Sequence, residues 1–187
     1  MPERAPALRF AAVTPATADD FVQLFETPGG PKYCWCMAWR VTPAEAKAHP
    51  DGKTRKPLML QRIADGIPVG LLAYEKNTPV GWVSVAPRST YRDLGGPPAR
   101  EGENVWSLAC LYVPRAKRAN GYGRALVGAA IAHARAQGAN VLEAYPVDPD
   151  SPSYRFMGFL PVFETLGFEE VGRAGSRRHV VRLALAR

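Results

Sequence analysis

Residues 118–123, Arg118-Ala119-Asn120-Gly121-Tyr122-Gly123, join two very different runs of sequence. Before them lies NVWSLACLYV (104–113), almost wholly apolar, as expected of a strand buried on both faces. After them comes GYGRALVGAAIAHARAQG (121–138), in which Leu126, Val127, Ala130, Ile131 and Ala134 form one helical stripe and Gly138 marks the end. The basic link PRAKRAN (114–120) separates the two. A helix begins with unpaired N–H groups and the positive end of its dipole. Glycines at that point let an anion approach the backbone closely. The stretch therefore reads as a cradle for a pyrophosphate, with Arg118 and Arg124 adding charge.

Three readings of such a loop compete. A nucleotide-triphosphate loop requires a Lys-Ser/Thr pair that does not follow here, which argues against magnesium-dependent phosphoryl chemistry. A dinucleotide fold requires G-x-G-x-x-G; Gly121 and Gly123 begin it, but Leu126 stands at the third glycine. Glu143 lies at the right distance for a ribose contact, yet the seven-residue link is too long and no second βαβ half follows. Two glycines that merely ease a strand into a helix remain the bland alternative.

Working outward, LRFAAV (8–13) reads as a first strand and TPATADDFVQLFET (14–27) as a helix with Phe21, Leu24 and Phe25 on one face. A broken helical region spans 42–65. PVGLLAYE and PVGWVSVAP, separated by Lys76-Asn77-Thr78, form a hairpin, and a polar Gly/Pro-rich loop follows at 88–103. NVLEAYPV (140–147) is another strand, FLPVFETLGF (159–168) a short helix ending at Gly167, and EEVGR and HVVRLAL the last strands. The pattern is α/β: a mixed, mainly antiparallel sheet of roughly seven strands flanked by helices, in a single domain over 1–187.

Composition is that of an ordinary soluble chain, with 47% hydrophobic and 22% charged residues. No apolar run reaches the ~20 residues of a membrane span, and the N-terminus lacks a secretion signal, so a cytoplasmic protein is expected. The 24 Lys and Arg against 17 Asp and Glu give +7, which favours anionic partners. No basic tract interleaved with aromatics accompanies it, so nucleic acid is a weak prospect. An odd count of three cysteines argues against a disulfide framework. Cys34 and Cys36 lack the two further ligands that structural zinc needs, so no metal is expected.

The order strand, basic link, R-x-x-G-x-G, amphipathic helix, strand and short helix ending Leu166-Gly167-Phe168 resembles the GNAT superfamily of acetyl-CoA-dependent N-acetyltransferases. The likeness runs through most of the chain and is most specific from Val105 to Phe168. The Cys34-Trp35-Cys36-Met37 segment resembles that of a bacterial subgroup of the same family. The resemblance implies that the fourth strand (104–113) splays from the fifth (140–145) and admits the pantetheine arm of acetyl-CoA. It places Leu111, Tyr112 and Val113 along that arm and Arg118, Ala119, Asn120, Gly121, Tyr122, Gly123 and Arg124 around the pyrophosphate. It further implies direct attack by a primary amine of a small molecule or peptide, with catalysis by positioning and oxyanion stabilisation. Relatives that pair through edge strands make a homodimer an expectation.

Two positions depart from the family. Phe163 stands where many members carry a tyrosine acid, and Ser107 where some carry a glutamate base. Glu143, Tyr154 and Ser107 are the substitutes considered for proton transfer, with Glu103 at the start of the fourth strand, or a water chain, as alternatives. Cys110 reads as a small core residue rather than a covalent acetyl carrier. Tyr145 shares a strand face with Glu143 and is a candidate acceptor contact. In YCWCMAWR (33–40) the indoles of Trp35 and Trp39 are expected to cluster, whether the segment is extended or helical, as an acceptor wall with Arg40 meeting an acidic group. Two rivals remain: a non-catalytic acyl-CoA-binding module without proton-transfer groups, and a basic nucleic-acid-associated protein.

Overall fold

A computed structural model describes residues 7–186; the N-terminal six, on which the expectation about a secretion signal falls, and Arg187 lie outside the described residues. The alternation of apolar residues builds one seven-stranded sheet. Its strands are β1 (Leu8–Ala12), β2 (Leu71–Glu75), β3 (Thr78–Pro87), β4 (Val105–Tyr112), β5 (Val141–Ala144), β6 (Glu169–Ala174) and β7 (Arg178–Ala184). Their order is β1-β2-β3-β4-β5-β7-β6. All neighbours run antiparallel except β4 and β5. That pair is joined through the helix after the glycine loop, because a parallel connection needs a crossover.

Five helices flank the sheet: α1 (Ala18–Glu26), α2 (Pro43–Ala48), α3 (Arg55–Ala64), α4 (Tyr122–Ala136) and α5 (Leu160–Glu164). Leu71 and Ala73 face Leu126, Val127 and Ala130 of α4. The alternate residues Leu72 and Tyr74, with Trp82 of β3, face Phe21, Leu24 and Phe25 of α1 and Met59 and Ile63 of α3. The stripe on α4 begins one turn earlier than its sequence suggests, at buried Tyr122, while Ile131 is only partly covered. β2 and β3 meet in a two-residue turn, Lys76-Asn77, with Lys76 at φ +52.

Two irregularities at the sheet's centre position the site. β4 pairs with β5 from Val105↔Val141 to Leu108↔Ala144 and then runs on to Tyr112 paired with β3 alone. Past that point the β5 chain turns at Pro146, and Val147 exchanges hydrogen bonds with Gly158 and Leu160 instead. The strands thus part where their pairing ends. On its other side β4 carries a bulge: Val85 opposes Leu108 and Ser84 opposes Cys110, so Ala109 has no partner. A bulge bends its strand and re-aims backbone groups, which suits the wall of a cleft.

Candidate active site

The parted strands open a cavity of about 580 Å³, within the range of small-molecule and cofactor sites. One end is built in and beside regular elements: Leu111 and Tyr112 of β4 with Val113 just after it, Arg118 in the link before α4, Gly123 and Arg124 in its first turn, Phe159 just before α5 and Val162 within it. The other end is built by loops, with Tyr33, Cys36, Trp39, Ser84 and Tyr91 in its wall.

At the first end the chain enters α4 through Ala119 (φ +67) and Gly121 (φ +76). The left-handed backbone at Gly121 is one that glycine adopts without a steric penalty. Ala125 N–H donates to Gly121 O at 3.0 Å, the first helical bond, so the N–H groups of Tyr122, Gly123 and Arg124 have no helical acceptor. A side chain at Gly123 would meet no atom within 4 Å, so the space beside these donors is open. Arg118 is steadied by a 3.0 Å bond from Nε to Val113 O, and Arg124 by Thr165. An anion fits this corner.

Carboxylate and hydroxyl candidates from the sequence go elsewhere. Glu143 is 0% exposed and absent from the cavity wall. Its carboxylate accepts from Arg182 Nε at 2.7 Å, Tyr145 OH at 2.5 Å and Arg88 at 3.4 Å. Gly96 seals the group from above, since a Cβ there would lie 2.2 Å from a carboxylate oxygen. Tyr145 is fully buried and also bonds Ser107 Oγ at 2.8 Å. Burial, reinforced by the Glu143 charge, pushes its phenol well up. Glu143, Ser107 and Tyr145 thus form one closed internal network, away from the cavity, because register places Ser107 opposite Glu143. Glu103 joins its outer edge through Arg182.

The aromatic segment is neither strand nor helix but a series of turns, with Trp35 and Cys36 at φ +50 and +52. Its indoles separate. Trp35 stacks on Phe25 with centroids 5.4 Å apart in the α1 core and does not reach the cavity. Trp39 lines the cavity and packs beside Tyr154, 6.4 Å away, and beneath the Arg178 guanidinium. Tyr154 itself stands at the rim, 38% exposed. Phe163, fully buried, packs edge-on against Phe168.

Arg40 also departs from expectation. It is 2% exposed and meets no carboxylate among the described residues. Its Nη2 reaches Tyr91 OH (2.7 Å), Val69 O (2.8 Å) and Ser84 Oγ (3.0 Å), and Nη1 reaches Thr90. Arginine has only donors, so Tyr91 and Ser84 accept from it. The two hydroxyls lie 3.0 Å apart. With Ser84 donating to Tyr91, the Tyr91 proton has no acceptor among the described residues, and the ring lines the cavity. Burial pushes the Tyr91 phenol up and the Arg40 charge draws it back. Ser84 sits opposite Cys110, beside the bulge. This trio came from three separate loops and strands; nothing in their spacing marks them in the sequence.

The profile of the Acetyltransferase (GNAT) family matches residues 31–159, more than half of the chain. The chain belongs to this family. A search of curated protein sequences returned no match. Among solved structures, a protein from Desulfovibrio desulfuricans described as a GNAT-family acetyltransferase has 23% identity and a TM-score of 0.54, covering 96% of this chain and 100% of its own. A Salmonella typhimurium protein solved with its cofactor acetyl-CoA has 19% identity and a TM-score of 0.56, covering 98% and 95%. The PaiA N-acetyltransferase of Thermoplasma acidophilum, solved with coenzyme A, has 14% identity and a TM-score of 0.55, covering 95% and 99%. These likenesses establish the fold. In this GNAT protein no group of three His, Cys, Asp or Glu side chains among the described residues is placed to hold a metal, and no helix among them is long and apolar enough to cross a membrane.

Proposed function

We propose that this GNAT protein transfers an acetyl group from acetyl-CoA to a primary amine by direct attack in a ternary complex. The observation that carries the reading is a single cavity running from the open helix N-terminus, along the half of β4 that β5 has left, to Tyr91. Acetyl-CoA supplies an activated thioester when bound. Backbone N–H groups of Tyr122, Gly123 and Arg124 hold its pyrophosphate, with the Arg118 and Arg124 charges beside them. Leu111, Tyr112 and Val113 take the pantetheine arm along the edge of β4 that β5 has left. Ala119 and Asn120 shape the turn that presents the donors.

Tyr91 then stands as the group that hands a proton to the departing thiolate, and Arg40 as the charge that steadies the phenolate left behind. Among the described residues no carboxylate lines the cavity, so the acceptor enters as the neutral amine and its proton leaves through water. The charged residues in and behind the wall, Arg40, Arg118, Arg124 and Arg155, are all cations. A polyamine is therefore a poor acceptor, and an amine carrying an acidic or neutral group a better one. Trp39 forms part of the acceptor's wall.

The test is thermal stability with acetyl-CoA, CoA, ATP and NAD, followed by thiol release with a panel of amines that includes spermidine and free amino acids. Stabilisation by acetyl-CoA and CoA with turnover on a non-polycationic amine supports the reading. Binding without release on any amine would leave only an acyl-CoA-binding protein, and no binding at all would end the proposal.

A further inference from the structure

Cys36 and Cys110 are separated by 74 positions in the sequence, yet their sulfurs lie 3.3 Å apart. Both line the cavity, and each keeps a little exposure, 7% and 8%, toward it. Their settings differ in a way that matters. Cys110 is fixed in β4 next to the bulge, opposite Ser84. Cys36 sits in the turn segment at φ +52, outside any strand or helix, so its backbone has room to shift. Trp82 Nε1–H donates to Cys36 Sγ at 3.1 Å, and the Cys36 thiol points its proton at Cys110 Sγ. A disulfide has its sulfurs about 2.05 Å apart, so closure asks for an approach of little more than an ångström. Cys34 is held differently: its sulfur accepts the Cys36 N–H at 3.4 Å, and a Cys-x-Cys bridge would strain the backbone.

We propose that Cys36 and Cys110 form a reversible disulfide in the cavity wall, closed by a hydroperoxide when the acyl donor is absent. The bridge is independent of the acetyltransferase reading; its shielding by the donor rests on that reading. Cys110, the sulfur that presents its lone pairs, attacks the outer peroxide oxygen; the O–O bond breaks, and a sulfenic acid and an alcohol form. Cys36 then displaces water from that sulfur, and the S–S bond forms as the S–O bond breaks. Two thiols and one hydroperoxide give one disulfide, one alcohol and one water. A dithiol reverses it by exchange. The hydrogen bond to Cys110 and burial hold the Cys36 thiol protonated, which disfavours it as the first nucleophile; when it displaces water in the second step, its proton goes to the departing hydroxide. Both residues lie in the wall of the cavity assigned to the donor, Cys110 directly after the unpaired Ala109, so an acyl group bound there would cover them.

The experiment treats the reduced full chain with tert-butyl hydroperoxide, then reads intact mass and a non-reducing peptide map, with and without acetyl-CoA. Wild type and Cys34→Ser are expected to lose two hydrogens and yield a peptide joined through Cys36 and Cys110. Cys36→Ala should instead gain oxygen on Cys110, and Cys110→Ala should form no cross-link through Cys36. Acetyl-CoA at 100 times its Kd should slow closure by about 100-fold, the factor by which it depletes the free protein. Oxygenation of native wild type without a cross-link, or a cross-link through Cys34, overturns the proposal without need of any variant. Unchanged closure under conditions where acetyl-CoA raises the Tm overturns the shielding. A Tm that acetyl-CoA leaves unmoved counts instead against the acetyltransferase reading, and the peptide map alone then decides the disulfide.

Discussion

Gly123→Glu separates the stability of the fold from the proposed grip on the pyrophosphate, because the two should move in opposite directions. Gly123 is the second residue of α4, and a Cβ there meets nothing within 4 Å. Replacing glycine in a helix with glutamate gains roughly 0.5–1 kcal/mol. An acidic group in the first turn gains a further ~0.3–1 kcal/mol from the helix dipole. The ligand-free variant should thus be about 1 kcal/mol more stable, raising Tm by about 2–4 °C for a chain of this size. The same carboxylate stands among the N–H donors assigned to the pyrophosphate. At about 5 Å and an effective dielectric of about 20, each unit of phosphate charge costs about 3 kcal/mol, so affinity falls by two or more orders of magnitude. Acetyl-CoA at 100 times the wild-type Kd stabilises wild type by about 2.7 kcal/mol and should leave the variant unmoved. Differential scanning fluorimetry with and without acetyl-CoA reads both changes at once. A variant with raised Tm and an undiminished acetyl-CoA shift would refute the placement of the pyrophosphate at α4.

Four other outcomes are expected. Tyr91→Phe should lower kcat by about 10²–10⁴, the usual worth of a positioned proton donor, while the Kd for acetyl-CoA holds; an equal loss in binding would make Tyr91 merely structural. Since burial pushes the Tyr91 phenol up, the acceptor amine is the group expected to titrate, and kcat/KM for an alkylamine should rise tenfold per pH unit toward the amine's pKa near ~10; a flat profile would mean that a base had been missed. Glu143→Gln should destabilise the fold by about 3–5 kcal/mol, as expected when one partner of a buried ion pair is removed, with the acetyl-CoA shift preserved; a stable variant that binds but does not turn over would return Glu143 to the reaction. Burial lowers the His133 pKa, so folding favours the neutral ring. Its contribution is then complete above the unfolded value of about 6.5 and lost as pH falls through the lower folded value, giving a Tm decline that His133→Gln should flatten.

How much of this was legible in the sequence follows from which residues act through local chain geometry. Gly121 announces the helix start because the left-handed backbone before α4 is one that glycine adopts without penalty. The apolar run around Cys110 likewise implies a central strand. Glu143 misled because spacing along β5 says which side a residue faces but not what covers that side. Only the folded 88–103 loop, with Gly96 and Arg88, shows that the carboxylate is sealed and paired. Trp35 and Trp39 misled because the reading assumed one regular period, whereas two successive left-handed residues, Trp35 and Cys36, turn the chain between the indoles.

The division of labour within the cavity explains why the acceptor end stayed hidden. The end assigned to the cofactor uses backbone groups of β4 and α4, which any sequence with the right glycines supplies. The other end uses side chains delivered by turns around 33–40, by Ser84 of β3 and by the start of the 88–103 loop. Arg40, Ser84 and Tyr91 acquire their roles only together: a guanidinium without a carboxylate would be costly to bury unless acceptors such as Ser84 Oγ, Tyr91 OH and Val69 O met it. The three also bind the aromatic turn segment to the sheet. A change of acceptor can therefore proceed by altering loops, which tolerate substitution better than the strands beneath them, while β4 and α4 remain as they are. Arg40 is the exception among the loop residues. Replacing it alters the Tyr91 proton and the anchoring of the Cys36 turn at once, so its effects on turnover and on disulfide closure should be inseparable.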